Sequence, residues 1–298
     1  MLVKSHANTR LLLTCVWVLF IVRGLFYISF VPLWEGLDEW GHYAVLQIIA
    51  TRGHLLVSRD ERISSEIQAS LKLAPWVDGE IRQDSYWPLS DADRTRREDA
   101  LRSMPPEWAR ETAVDGRLAY EAQQPPLYYW LFALAYRVTA GLSFLTQVWL
   151  LRFLGLLLAS TVIPLGFFVA KITFGTNLQA LGLVAIVAAT PELMLTVSHI
   201  GNDSLAVAMG GLLILTLFRW KEAPTSLPRA LALGTAFGLA LLTKGYFIAL
   251  LPPILIFAAI WAKRKGAYRQ ALAVLASTVV ISAWWYVGTW RATHSITG

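Results

Sequence analysis

The run LLLTCVWVLFIVRGLFYISFV (Leu11–Val31), followed directly by PLWEGLDEWGHY (Pro32–Tyr43), decides the class of this chain. The first run is apolar enough and long enough to cross a hydrocarbon layer about 30 Å thick. Just beyond it stand two adjacent acids, Asp38 and Glu39, in a turn rich in aromatic residues and glycine. A membrane enzyme would keep a general base in such a place. The same pair would also serve as a helix cap, because acids are stabilised at helix N-termini.

Working outward, the whole chain is 298 residues long, 56% hydrophobic and only 15% charged. A soluble domain carries about a quarter charged residues, so composition points to a polytopic membrane protein. The net charge of +6 is unevenly spread. Seventeen of the 20 acids lie between Glu35 and Glu121, with 11 basic residues among them, so that stretch is −6 and the rest +12. Positive charge therefore belongs to the apolar part, where it reports orientation and not a nucleic-acid-binding face. The single cysteine, Cys15, excludes an intramolecular disulfide and a cysteine metal site. Lys4 and Arg10 before the first apolar run resemble a signal peptide, but no small-residue cleavage site follows. A retained signal anchor is expected.

Runs of about 20 apolar residues predict spans near 11–31, 148–170, 178–197, 203–219, 229–243, 247–262 and 270–289. Several are short, which implies tilt or partial embedding. The expected fold is all-α and polytopic, with about seven transmembrane helices. Residues 1–31 form the cytoplasmic N-terminus and first helix, 32–147 a large extracytoplasmic loop domain, and 148–298 six further helices. Lys4 and Arg10 place the N-terminus in the cytoplasm, and Lys171, then Arg219, Lys221 and Arg229, then Lys263 to Arg269 fall at alternate span ends, as seven crossings from there require. Within the loop, Pro75, Pro88, Pro105 and Pro106 interrupt any long helix, while Trp76, Tyr86, Trp87, Trp108 and Tyr120 supply too many aromatics for a disordered tether. Trp40–Thr51 and Leu127–Val138 suit interfacial helices.

The out-of-place polar residues all fall on the external side in this topology. Asp38 and Glu39 follow span one, and Gln123-Gln124 precede the motif PPLYYW (Pro125–Trp130). Arg152 sits about one turn inside span two. His199, Asn202 and Asp203 form one external turn, and Lys244 marks another. Ionisable groups at membrane depth cost roughly 2.5–3.5 kcal/mol each on insertion scales, so a shared side suggests a shared task. Arg152 and Lys244 suit an anionic lipid-linked phosphate. Each also has a structural reading: a snorkelling arginine at 152, an N-cap at Asn202-Asp203. The histidines, His42 among them, are scattered and show no metal-ligand spacing.

Taken together, the Asp-Glu pair, a long loop closing on Gln-Pro-Pro-Leu-Tyr-Tyr-Trp, an Arg atop span two, an external Asp before span four and a Leu-Thr-Lys-Gly turn (Leu242–Gly245) resemble the GT-C membrane glycosyltransferases. The nearest branch is that of protein O-mannosyltransferases and aminoarabinose–lipid A transferases. The resemblance implies an inverting enzyme of the plasma (inner) membrane that moves a sugar from a polyprenyl-phosphate donor to a lipid, glycan or protein hydroxyl. It implies Asp38 as catalytic base with Glu39 beside it, and Arg152, Lys244, Asp203, Asn202, Gln124, Tyr128 and His42 around the substrates. No cofactor and no metal are expected, since that branch generally uses none, and membrane lipid is the surrounding partner. Family members usually continue with further helices after the seventh span, so the chain is expected to lack their variable C-terminal module. The alternative is a non-catalytic carrier or assembly partner for lipid-linked phosphates, in which Arg152 and Lys244 matter and Asp38 does not.

Overall fold

The computed structural model describes residues 2–74 and 86–296, so Pro75 and Trp76 lie outside the described residues. All regular structure among them is helical. In chain order the α-helices are α1 (Leu2–Phe30), α2 (Glu39–Arg52), α3 (Ser65–Leu73), α4 (Asp91–Arg102), α5 (Leu127–Thr139), α6 (Phe144–Ser160) and α7 (Val162–Phe174). There follow α8 (Asn177–Ala189), α9 (Pro191–Val197), α10 (Asp203–Glu222), α11 (Leu227–Leu241), α12 (Leu251–Lys265) and α13 (Tyr268–Thr293). Among the described residues, five stretches are long and apolar enough to cross a membrane: Ala7–Phe30, Phe144–Phe174, Asp203–Glu222, Gly245–Lys265 and Tyr268–Thr293. The pair α8–α9 makes a sixth if read as one span bent by 62°. Pro191 explains the bend, because the residue before proline is pushed out of the helical region and Thr190 adopts ψ 117. The run expected near 229–243 is the shorter apolar helix α11.

The chain divides into two compact units. One comprises residues 1–22, 158–193 and 205–298. In it α11 packs closely on α13, and α7 on α8. The α11–α13 approach depends on two glycines four residues apart. A Cβ on Gly234 would lie 1.9 Å from Ser277 Oγ and 2.4 Å from the Val274 carbonyl, and one on Gly238 would lie 2.8 Å from Ile281 Cβ. Small residues at this spacing let helix backbones meet where water exclusion offers no drive. Thr278 Oγ1 then reaches the Gly234 carbonyl at 3.1 Å.

The other unit comprises residues 23–157 and 194–204 and holds the large loop. In it the end of α1 meets α6. A Cβ on Gly24 would come within 2.3 Å of Leu156 Cδ1. Helix α2 lies against α5. Residues 41–49 of α2 are buried throughout, so the helix expected at the membrane surface over Trp40–Thr51 is enclosed by protein on every side. Helix α5 divides differently: Tyr129, Phe132, Ala133 and Tyr136 turn inward, while Leu131, Leu134 and Val138 are exposed. Short antiparallel bridges, Arg62 to Leu118 and Ser64 to Thr112, fasten the loop. Ser64 and Ser90 cap α3 and α4 by accepting from the amides of Ile67 (3.2 Å) and Asp93 (3.1 Å).

Candidate functional site

The adjacent acids of the opening motif face opposite ways. Asp38 is exposed and Glu39 is completely buried. The reason is local backbone geometry. Trp34 (φ 64) and Asp38 (φ 56) both adopt the left-handed conformation, which is uncommon for any residue except glycine and a genuine outlier for one as bulky as tryptophan. The two reversals coil Val31–Asp38 into a tight loop at the end of α1. Asp38 stands at the N-cap of α2 but makes no capping hydrogen bond. Its Oδ1 instead accepts from the Tyr120 hydroxyl at 2.6 Å.

Glu39 holds that loop in place. Its Oε1 accepts from Arg152 Nε (2.7 Å) and the Ile200 amide (2.9 Å). Its Oε2 accepts from Arg152 Nη2 (2.6 Å) and the Trp34 amide (3.2 Å). Arg152 in turn donates to the carbonyls of Val31 (2.7 Å), Pro32 (2.9 Å) and, more weakly, Ile28 (3.4 Å). One carboxylate thus joins α1, the loop, α6 and the turn before α10. Burial pushes the Glu39 pKa up, but the Arg152 charge and donors, His199 and the Ile200 amide outweigh it and leave the carboxyl below its ordinary 4.5. Two expectations are corrected here. Arg152 does not present its guanidinium to a phosphate, because the fork is spent on Glu39 and backbone carbonyls. Glu39 has no free lone pair for proton transfer, because both oxygens already accept two bonds.

The other expected site residues also sort by burial. His42 is buried, with Nδ1 2.8 Å from the Tyr129 hydroxyl and 3.8 Å from Glu121 Oε2. Tyr128 is fully buried and stacks on Phe132 with ring centroids 4.2 Å apart. Asn202 is fully buried and donates from Nδ2 to Gln124 Oε1 at 3.3 Å. His42 and Tyr128 lie buried within the α2–α5 layer and Asn202 ties the 198–204 turn to Gln124, so none of the three is exposed to a substrate. Gln124 and Asp203 are only half-buried. Lys244 belongs to the other unit, where its ammonium lies 5.5 Å over the Tyr246 ring. Arg23, within the first span, lies 5.7 Å over Tyr27.

Two residues beside Asp38 were not expected as site residues. Tyr120 aims the carboxylate and packs edge-on against Trp40 at 5.0 Å. Arg117 is exposed and lies over the same Trp40 ring at 5.6 Å. Gly41 makes this cluster possible: a Cβ there would come within 2.8 Å of the Tyr120 ring and 2.9 Å of Glu121 Cγ. A glycine inside a helix is the one signal in the sequence for such an approach. The surface group is therefore an acid, a phenol, an indole and a guanidinium, enough to accept a proton and hold an anion. Among the described residues, no group of three or more His, Cys, Asp or Glu is placed to hold a metal ion.

Residues 19–296 match DUF2142, a family described as a predicted membrane protein, and the chain belongs to that family. With its several long apolar helices, it is a multi-pass membrane protein. No curated protein and no solved structure matches it.

Proposed function

We propose that this protein is an inverting, membrane-embedded glycosyltransferase acting on the extracytoplasmic side of the plasma membrane. The observation that carries the reading is the condition of Asp38. It is an exposed carboxylate in a left-handed backbone, unused as a helix cap, aimed by Tyr120 and seated on a fully buried ion pair. Unusual backbone held by its surroundings is a mark of functional positions. Asp38 accepts the proton of an acceptor hydroxyl as that oxygen attacks the anomeric carbon of the donor sugar. The bond from that carbon to the phosphate oxygen breaks on the opposite face, and the polyprenyl phosphate leaves with the electron pair. Arg117, beside Tyr120 and Trp40, offers the cation that this leaving group needs. Glu39 and Arg152 are positioning residues that fix the loop carrying Asp38.

The carrier alternative draws less support. It relied on Arg152 and Lys244 as phosphate ligands, and the Arg152 guanidinium is committed elsewhere. The test is mass spectrometry of glycans and lipid-linked sugars from cells lacking the gene, complemented with wild type, Asp38→Asn or Arg117→Gln. A sugar modification that returns with wild type but with neither variant supports transfer. Return with Asp38→Asn at the wild-type level would falsify it.

A further inference from the structure

A second recess, of about 380 Å³, opens in the loop-bearing unit on residues that include neither Asp38 nor Tyr120 nor Arg117. Helix α3 lines it with Ala69 and Lys72, one turn apart on the same face. The chain after α4 supplies Trp108, Ala113, Val114 and Asp115. Its walls are fixed by the fold. The Ser65 amide donates to the Glu111 carbonyl (2.9 Å) and the Ala113 amide to the Ile63 carbonyl (3.0 Å), which ties 111–113 to the start of α3. Arg62 holds the Gly116 carbonyl at 2.8 Å, just beyond Asp115. Trp108 sits in the tight turn Pro106–Ala109, whose entry is set by Pro105 and Pro106.

We propose that this recess binds a small zwitterion, an ammonium and a carboxylate on one apolar skeleton, of the free amino acid class. Charge is the first support. Lys72 and Asp115 are both exposed, and among the described residues neither is ion-paired, with the other or with a third group. One recess therefore offers a cation and an anion that a ligand can reach from solvent. A ligand of single sign meets an attraction and a repulsion there, and a neutral polyol uses neither group as a charge. A zwitterion answers both. The Lys72 ammonium donates to its carboxylate, and its own ammonium donates to Asp115, each a charge-assisted hydrogen bond.

The second support is the apolar part of the lining. Val114 is 88% exposed at the recess, and with Ala69 and Ala113 it offers surface for an aliphatic side chain to cover. Trp108 adds a half-buried aromatic face. The volume lies at the small end of ligand sites, in keeping with a compact ligand. Fixed walls also spare the ligand the cost of ordering them. The site is independent of the transfer reading, since occupancy is measured without turnover.

The test is saturation-transfer NMR with calorimetric titration of the full-length protein in detergent. Four probes are used: leucine, isocaproate (which lacks the ammonium), isoamylamine (which lacks the carboxylate) and methyl glucoside. Leucine should bind at millimolar concentration or tighter, and either single-charge analogue about ten-fold or more weakly. Lys72→Gln and Asp115→Asn each remove one exposed charge and should weaken leucine about ten-fold while melting with the wild type. Ala69→Phe, which fills the recess and leaves both charges, should abolish binding, and the charge variants decide the matter if it unfolds. No binding of leucine, equal binding of either analogue or of methyl glucoside, or leucine held undiminished by both charge variants would overturn the proposal.

Discussion

Replacing Arg152 by methionine tests the buried ion pair most severely. Glu39 is 0% exposed and would lose two of its four donors, keeping only the amides of Trp34 and Ile200. The carbonyls of Val31 and Pro32 would each lose a donor as well. Removing one partner of a buried pair costs about 3–5 kcal/mol, because the remaining charge stays buried. The melting temperature should therefore fall by on the order of 10 °C. The pH dependence carries a sign. In the wild type the Glu39 pKa is lowered, so its contribution is fully present above 4.5 and is lost as pH falls through the folded-state value. Without Arg152, burial, the largest influence, is opposed only by His199 and the remaining amides, and the pKa rises above 4.5. Stability is then greatest below 4.5 and declines as pH rises, so the gap between variant and wild type should narrow on acidification. The double variant Glu39→Gln/Arg152→Met should be more stable than Arg152→Met alone, since no charge is orphaned. The assay is thermal unfolding of the purified protein in detergent, followed by tryptophan fluorescence from about pH 4 to about pH 8. An Arg152→Met protein that melts with the wild type at neutral pH would refute the reasoning.

Other expectations follow from separate contacts. Glu66 is buried, accepts from Gln47 Nε2 at 2.6 Å and is pushed up by burial to about 7. Its neutral form stabilises the fold below 4.5 and that stability is lost as pH rises through about 7, so Glu66→Gln should flatten the loss between pH 5 and pH 8 in denaturant titrations. Gly234→Val should destabilise the protein by about 1–3 kcal/mol through overpacking against Ser277 and Val274, seen as a lower melting temperature. Gly41→Val should drive Tyr120 off Asp38, lowering any transfer activity while the α11–α13 packing of the other unit, read by hydrogen exchange, keeps its protection.

Much of the helical architecture was legible because an apolar run of span length has few other uses. The break at Pro191 was legible in principle, since a proline inside an apolar run restricts the residue before it. The different tasks of Asp38 and Glu39 were not. Adjacent residues at a helix start differ in direction by about 100°, and which of them points inward depends on Trp34 and Asp38 taking left-handed backbone that neither residue type announces. Arg152 was readable as a charge out of place, but its partner lies 113 residues away in sequence. Composition cannot supply that pairing. His42 and Tyr128 drew attention within aromatic motifs and Asn202 in an external turn, and the fold buries all three. Arg117 and Tyr120 were hidden in a polar loop whose course depends on bridges such as Arg62 to Leu118.

The central claim is a division of labour between two neighbouring carboxylates, and one paired measurement addresses it. Asp38→Asn and Glu39→Gln would be purified, reconstituted in vesicles with polyprenyl-phosphate sugar, and scored for sugar transfer and melting temperature together. Asparagine tolerates the left-handed backbone at 38 and still accepts from Tyr120, so Asp38→Asn should melt with the wild type and transfer nothing. Glu39→Gln should melt several degrees lower, because Arg152 loses its counter-charge. Transfer at the wild-type rate by Asp38→Asn, or an unchanged melt for Glu39→Gln, would contradict the account.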